Sequence, residues 1–131
     1  MAAVLTVTRD PRRSPNTDKV YERVSIAWTS HTDGTGSVAI DGLYGWLVKM
    51  VTDPGATAPT DNYDITLVDE NSADALEGLG ANRDTANTET VYTLVSGAAT
   101  PVFLCGTHTF TIANAGDSKV GTAVLYIVES L

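Results

Sequence analysis

Thr107-His-Thr-Phe-Thr-Ile-Ala113 alternates regularly between threonines and larger, mostly apolar residues, and this pattern is the main indication of the fold. His108, Phe110 and Ile112 alternate with threonines, so one set of side chains faces an apolar interior and the other faces solvent. A period of two residues is typical of a half-buried antiparallel strand. The segment therefore predicts a β-sheet with one wet face.

The same alternation recurs outward along the chain. Val24, Ile26 and Trp28 share one face of a strand predicted over residues 20–29. Val120–Val128 carries almost no charge, which favours a strand in the middle of a sheet. Further strands are predicted at Val4–Thr8, Val38–Ile40 (turning at Asp41-Gly42), Tyr63–Asp69, Thr90–Val95 and Pro101–Cys105.

Two segments leave alternatives open. Leu43–Val51 is almost continuously apolar, which predicts a strand covered on both faces; a helix is the alternative, and Gly45 favours the strand. Ala73, Leu76 and Leu79 recur at three-residue spacing, which allows a helix of about two turns.

Short strands joined by Gly, Pro and Asn turns predict an all-β fold. We expect an antiparallel β-sandwich or jelly-roll of about eight strands, with at most one short helix near residues 72–79. Residues 1–17 form an N-terminal strand and basic arm, with Pro11 and Pro15 around a turn, and residues 18–131 form the β-sandwich domain.

Charge is distributed unevenly along the 131 residues, whose net charge is −8. Residues 1–23 carry a net charge of +2, whereas residues 24–131 carry −10. Because an acidic body repels phosphate backbones, we expect no nucleic-acid partner. We expect Arg9, Arg12 and Arg13 to dock onto an acidic protein surface, such as another copy of the chain.

Neither a signal peptide nor a membrane-spanning apolar run is recognisable, so we expect no membrane partner. The single cysteine, Cys105, lies in a short apolar run and is predicted to be a buried thiol.

Catalytic and metal-binding patterns are weak. Only two histidines, His31 and His108, are available, no G-x-S-x-G motif occurs, and no metal-ligand spacing is present. Asp69–Asp74 superficially resembles a calcium loop but lacks the spacing of one. On the sequence alone, a catalytic pair of carboxylates like that of a glycosidase stays open as an alternative. We expect no catalytic residue, no cofactor and no metal.

Aromatic residues indicate a core and an interface. Trp28 and Trp46 align with aliphatic positions of their strands, so both are predicted to be buried. Tyr44 and Tyr92 are predicted to lie at an interface, where a ring with a polar end is favoured.

Four stretches of the chain, within residues 40–128, are similar to small virion-associated proteins of tailed bacteriophages. They are Gly55-Ala-Thr-Ala-Pro-Thr-Asp-Asn-Tyr-Asp-Ile-Thr-Leu-Val-Asp69, Ala75-Leu-Glu-Gly-Leu-Gly-Ala-Asn-Arg-Asp-Thr-Ala-Asn-Thr-Glu89, Phe110-Thr-Ile-Ala-Asn-Ala-Gly116 and Gly121-Thr-Ala-Val-Leu-Tyr-Ile127.

The resemblance implies a non-enzymatic structural protein of the virion, assembled in the host cytoplasm. The expected role is capsid decoration: many copies bind the major capsid protein on the outer head surface and associate with one another, a trimer being one form. The alternatives are a tail or head–tail connector component, or a carbohydrate-binding module displayed on the particle.

Overall fold

A computed structural model describes residues 2–15 and 20–130. Within these residues the chain forms nine strands and no helix. The strands are β1 (Val4–Arg13), β2 (Val20–Thr29), β3 (Gly36–Pro54), β4 (Asp64–Val68), β5 (Glu89–Val91), β6 (Leu94–Val95), β7 (Ala98–Ala99), β8 (Val102–Ala113) and β9 (Val120–Val128). The described part of the chain contains no helix long and apolar enough to cross a membrane.

Seven strands form one antiparallel sheet in the order β1-β2-β9-β3-β8-β4, with β5 also paired to β3. Strands β6 and β7 form a separate hairpin. The sheet closes over itself, because the ring of Trp28 in β2 meets that of Tyr63 beside β4, with centroids 5.6 Å apart. The all-β, sandwich-like fold expected from the sequence is confirmed.

Strand β3 joins the two layers. Its first part, Gly36–Leu47, pairs with β8, and its last part, Trp46–Pro54, pairs with β9. The register shifts between Ile40 and Leu43 and again between Leu47 and Lys49. Such irregularities bend a strand and increase its twist, which lets one strand serve both layers. The turn expected at residues 41–42 is therefore a bulge inside one continuous strand.

Alternate residues of both layers fill the core. Those that are at most 3% exposed include Val24, Ile26, Trp28, Ile40, Leu43, Leu47, Met50, Tyr63, Ile65, Leu67, Leu104, Phe110, Ile112, Leu125 and Ile127. His108, Phe110 and Ile112 of β8 are buried together, as their alternation predicted. Strand β9 lies between β2 and β3, which confirms its predicted central position.

Leu43–Val51 is a strand, but it is not covered on both faces. Leu43 and Leu47 are fully buried, whereas Tyr44 between them is 63% exposed. The apolar composition of this segment reflects an inner face that packs and an outer face that carries exposed rings. An unbroken apolar run does not distinguish these two cases.

The N-terminal strand is longer than predicted. Strand β1 runs through Pro11 to Arg13 and pairs with β2 along its whole length, so Pro11 does not end it. Proline is tolerated there because β1 is an edge strand, whose outer backbone groups need no partner in the sheet. The predicted boundary between residues 17 and 18 lies outside the described residues.

Turns replace the possible helix over residues 72–79. The Asp74 carboxylate accepts hydrogen bonds from the amides of Leu67 (3.0 Å), Leu76 (3.0 Å) and Gly78 (2.9 Å). These bonds tie the segment to the edge of β4 and occupy amides in a non-helical geometry. Leu76 is nevertheless buried. The three-residue spacing of apolar residues therefore indicated a packed side chain correctly but a helix wrongly.

Acidification is expected to loosen this segment. The amides of Ala73 and Asn71 hold the pKa of Asp69 below its ordinary value of 3.8. A depressed folded pKa gives a contribution that is complete above the unfolded pKa and is lost as the pH falls through the folded value. We expect the urea concentration at the unfolding midpoint to decrease when the pH is lowered below about 4. The decrease should be smaller in Asp69→Asn than in the wild-type chain. Identical pH profiles for the two proteins would contradict this assignment.

Candidate interaction surface

An exposed group of apolar side chains lies where β3 and β8 pair on the outer face. Tyr44 is opposite Cys105, and Trp46 is opposite Phe103. The rings of Trp46 and Phe103 have centroids 5.2 Å apart at 60°. Tyr44 is 63% exposed and Phe103 55%. We call these four residues the aromatic patch. Contiguous exposed apolar side chains of this kind mark contact sites on protein surfaces.

Two members of the aromatic patch were predicted wrongly. Trp46 was expected in the core, yet it lies on the outer face and is half-buried. Cys105 was expected to be buried, but it is exposed. Both errors have one cause: apolar residues occupy both faces here. Leu104 points inward at 0% exposure, so its neighbours along the strand point outward.

A shallow apolar groove continues from the aromatic patch along the end of the sheet. Val128 pairs with both Tyr21 and Trp46, so it joins the patch to β2. The groove passes between Tyr44 and Tyr21 and then reaches Tyr126. Tyr21 and Phe103 were not singled out in the sequence. The position of Phe103 could have been found from the alternation along β8: a residue next to the inward-facing Leu104 faces outward.

Cations gather next to this groove. Arg12 Nε and Arg23 Nη2 each lie 2.8 Å from a different oxygen of Asp10. Lys49 Nζ lies 4.8 Å above the centre of the Tyr126 ring, in a cation–π contact. We call Arg12, Arg23 and Lys49 the basic face. The two arginines lower the pKa of Asp10, which stays ionised between them and leaves positive charge in excess.

Arg9 forms contacts within the fold. Its guanidinium binds the Glu22 carboxylate in a bidentate pair at 2.8 and 2.7 Å. The same group donates to the carbonyls of Asp41 (2.6 Å) and Gly42 (3.1 Å) in the bulge of β3. A planar fork of donors suits this arrangement. The guanidinium predicted to bind a partner therefore links β1 and β2 to the bulge.

The remaining predicted contact residues are at the surface. Arg13 is exposed at the end of β1. Tyr92 follows β5 and is 45% exposed. The ring contacts found in the described residues join Trp46 to Phe103 and Trp28 to Tyr63, and do not include Tyr92. The aromatic patch is thus built around one predicted residue, Tyr44.

The opposite end of the strand order is acidic. Residues 53–90, which we call the acidic segment, hold nine acids and one base, Arg83. Several of these carboxylates, including Asp69, Asp74 and Asp84, accept backbone amides in turns. Asp61 and Glu77 are exposed, and the carboxylate of neither forms an ion pair or hydrogen bond in the described part of the chain.

The two histidines lie in different environments. His108 is 2% exposed in the core, and its Nδ1 lies 3.2 Å from the Gly106 carbonyl. His31 lies in an exposed turn, with Nδ1 3.2 Å from the Asp33 carboxylate. Across residues 2–15 and 20–130, no three His, Cys, Asp or Glu side chains are grouped to hold a metal ion.

No protein-family model matches the chain, and no curated protein sequence matches it either. The surface of the domain is therefore the basis for assigning a function: it carries an aromatic patch and a basic face at one side, and an acidic segment along the edge strand β4.

Proposed function

We propose that the chain is a structural protein of a tailed-bacteriophage particle, a capsid decoration protein that binds the outer head surface in many copies. The observation that carries this proposal is the aromatic patch. Its rings project from the outer face of the sheet: those of Tyr44 and Phe103 are exposed, and that of Trp46 is half-buried between them and the sheet. The resemblance of four stretches of the chain to virion-associated proteins is the reason for proposing the major capsid protein as the partner.

The aromatic patch has the composition of a binding hot spot. Tyrosine and tryptophan are enriched at the energetic centres of protein interfaces, and each buried ring contributes on the order of 1.5–3 kcal/mol. Trp46 and Phe103 already contact each other, so the patch loses little side-chain freedom when a partner covers it. Tyr44 beside them offers a hydroxyl that can bond at the wet rim.

Binding to particles tests the proposal. Particles of the encoding phage that lack this protein are mixed with the purified chain, co-sedimented and imaged. We expect regular density on the outer head, and Tyr44→Ser to weaken occupancy about tenfold or more. Val4→Ser is the matched control, because Val4 is 55% exposed and lies at the far end of β1.

The images also separate the alternatives. Density in the tail or at the head–tail junction would replace decoration with the connector role. Failure to bind any part of the particle would contradict both structural roles. Unchanged occupancy of Tyr44→Ser would show that the aromatic patch is not the contact surface.

A carbohydrate-binding module is the second candidate, and Trp46 favours it. Two buried tryptophans, as predicted from the sequence, would leave no tryptophan ring to stack on a sugar, but Trp46 lies on the outer face beside Phe103. Neighbouring surface rings are what stacking on a sugar requires. Binding to host glycans that Tyr44→Ser abolishes, together with no binding to particles, would establish this function in place of decoration.

A further inference from the structure

We infer that the chain associates with a second copy of itself, the basic face of one copy binding the acidic segment of the next. This contact rests on the proposed role as a multi-copy particle protein, and it names which surfaces meet. It uses the cations of β1, β2 and β3, and leaves the aromatic patch free for the capsid.

The charge distribution carries the inference. The acidic segment has a net charge of −8, which equals the net charge of the whole chain, so the remaining residues are neutral in sum. Within that neutral remainder, the three cations of the basic face surround one acid, Asp10, and the carboxylate of Glu22, which lines the groove with Lys49, is paired with Arg9. Opposite charges on two surfaces steer encounters and select the partner that carries both.

The placement of the two surfaces makes them available at once. The basic face spans β1, β2 and Lys49 of β3, whereas most of the acidic segment surrounds β4, the last strand in the sheet order. The two ends of the segment, Asp53 and Glu89, lie at the C-terminal end of β3. Loop residues cover the outer edge of β4: Gly80 accepts the Ile65 amide at 2.9 Å, and Leu67 accepts that of Ala75 at 2.7 Å. A partner therefore meets side chains there and not an open strand.

Two different surfaces in contact make a head-to-tail interface. Such interfaces generate rings when the rotation between copies closes, and filaments when it does not. A nucleic acid would also be drawn to cations, but it would be repelled by the acidic segment of the same molecule. A second copy satisfies both surfaces together.

Charge reversal tests the contact, with mass measured by light scattering and sedimentation in low and high salt. Lys49→Glu should shift the wild-type oligomer toward monomer at 50 mM salt, as 500 mM salt does with the unchanged chain. Lys119→Glu is the matched control: it changes the net charge equally but lies outside the basic face, next to Thr57 and Thr60 of the acidic segment. An added carboxylate there removes no cation of the basic face, so its oligomer should persist. Equal loss in both variants would overturn the inference.

Mixing variants distinguishes head-to-tail from symmetric pairing. Asp61→Lys with Glu77→Lys removes free carboxylates of the acidic segment, and this protein should also be monomeric. Mixed with Lys49→Glu, it should form a one-to-one complex, because each protein keeps one intact surface. A wild-type chain that is monomeric in low salt, or a mixture without complex, would overturn the inference.

Particle binding separates this inference from the proposed function. If Lys49→Glu is monomeric and still binds heads through the aromatic patch, both stand. If the wild-type chain forms oligomers that salt disperses but binds no particle, the decoration role fails alone. If it binds heads and remains monomeric free in solution and on the particle, the inference fails alone.

Discussion

Phe110→Ala is expected to lower the free energy of unfolding by about 3–5 kcal/mol. Phe110 is 0% exposed and projects from β8, which pairs with both β3 and β4, into the core on the inner face of the sheet. Removing the ring takes away its transfer free energy and leaves a cavity that the surrounding strands cannot close. Urea unfolding followed by circular dichroism measures the loss.

Phe103→Ala is the matched control, since it makes the same change on the same strand. Phe103 is 55% exposed on the outer face and packs against the Trp46 ring, so its loss should lower the free energy of unfolding by only about 0.5–1.5 kcal/mol. The comparison therefore tests the register of β8 directly. Equal destabilisation by the two substitutions would contradict the assignment of inner and outer faces.

Gly121→Ala is the second large effect, expected to cost about 3 kcal/mol. A Cβ at this position would clash with Cζ2 of Trp28 and would lie 2.7 Å from Cε2 of the same ring. Trp28 is 2% exposed and its ring meets that of Tyr63, so it has little room to withdraw. The added methyl group must displace a packed ring, and overpacking of this kind strains side chains and backbone.

A second substitution identifies the cause. Trp28→Leu destabilises the wild-type chain but removes the atoms that a Cβ at Gly121 would strike. In the double variant, Gly121→Ala should therefore cost at least 1 kcal/mol less than it does alone, as a double-mutant cycle of unfolding free energies measures. Strict additivity would show that the glycine is needed for a reason other than the ring.

The fold was predictable where one face of a strand is apolar and the other is polar. In β8 and β2, alternation located the strands and most of the buried residues, because a period of two has a single reading. Prediction was weaker where both faces are apolar, as at Trp46 and Cys105. There, only the partner strand decides which side chains meet the core.

The candidate site was predictable only in part for the same reason. Tyr44 is exposed as expected, but composition does not show that Trp46 and Phe103 lie opposite each other across two strands 57 residues apart in sequence. Arg9 presents the reverse case. A cation in a basic stretch indicated an outer contact, whereas the bulge at Asp41 and Gly42 brings two carbonyls to its guanidinium.

From the sequence alone we could predict an all-β domain, the inner faces of β2 and of the second half of β8, the central position of β9, and an acidic body after residue 23. These properties are local, since alternation and charge are read from neighbouring residues. Three features are visible only in the tertiary structure: β3 bends and pairs in both layers, turns cover β4, and aromatic rings and cations lie beside one groove. Those outcomes depend on strand register and bulges, which bring together residues that no local pattern connects.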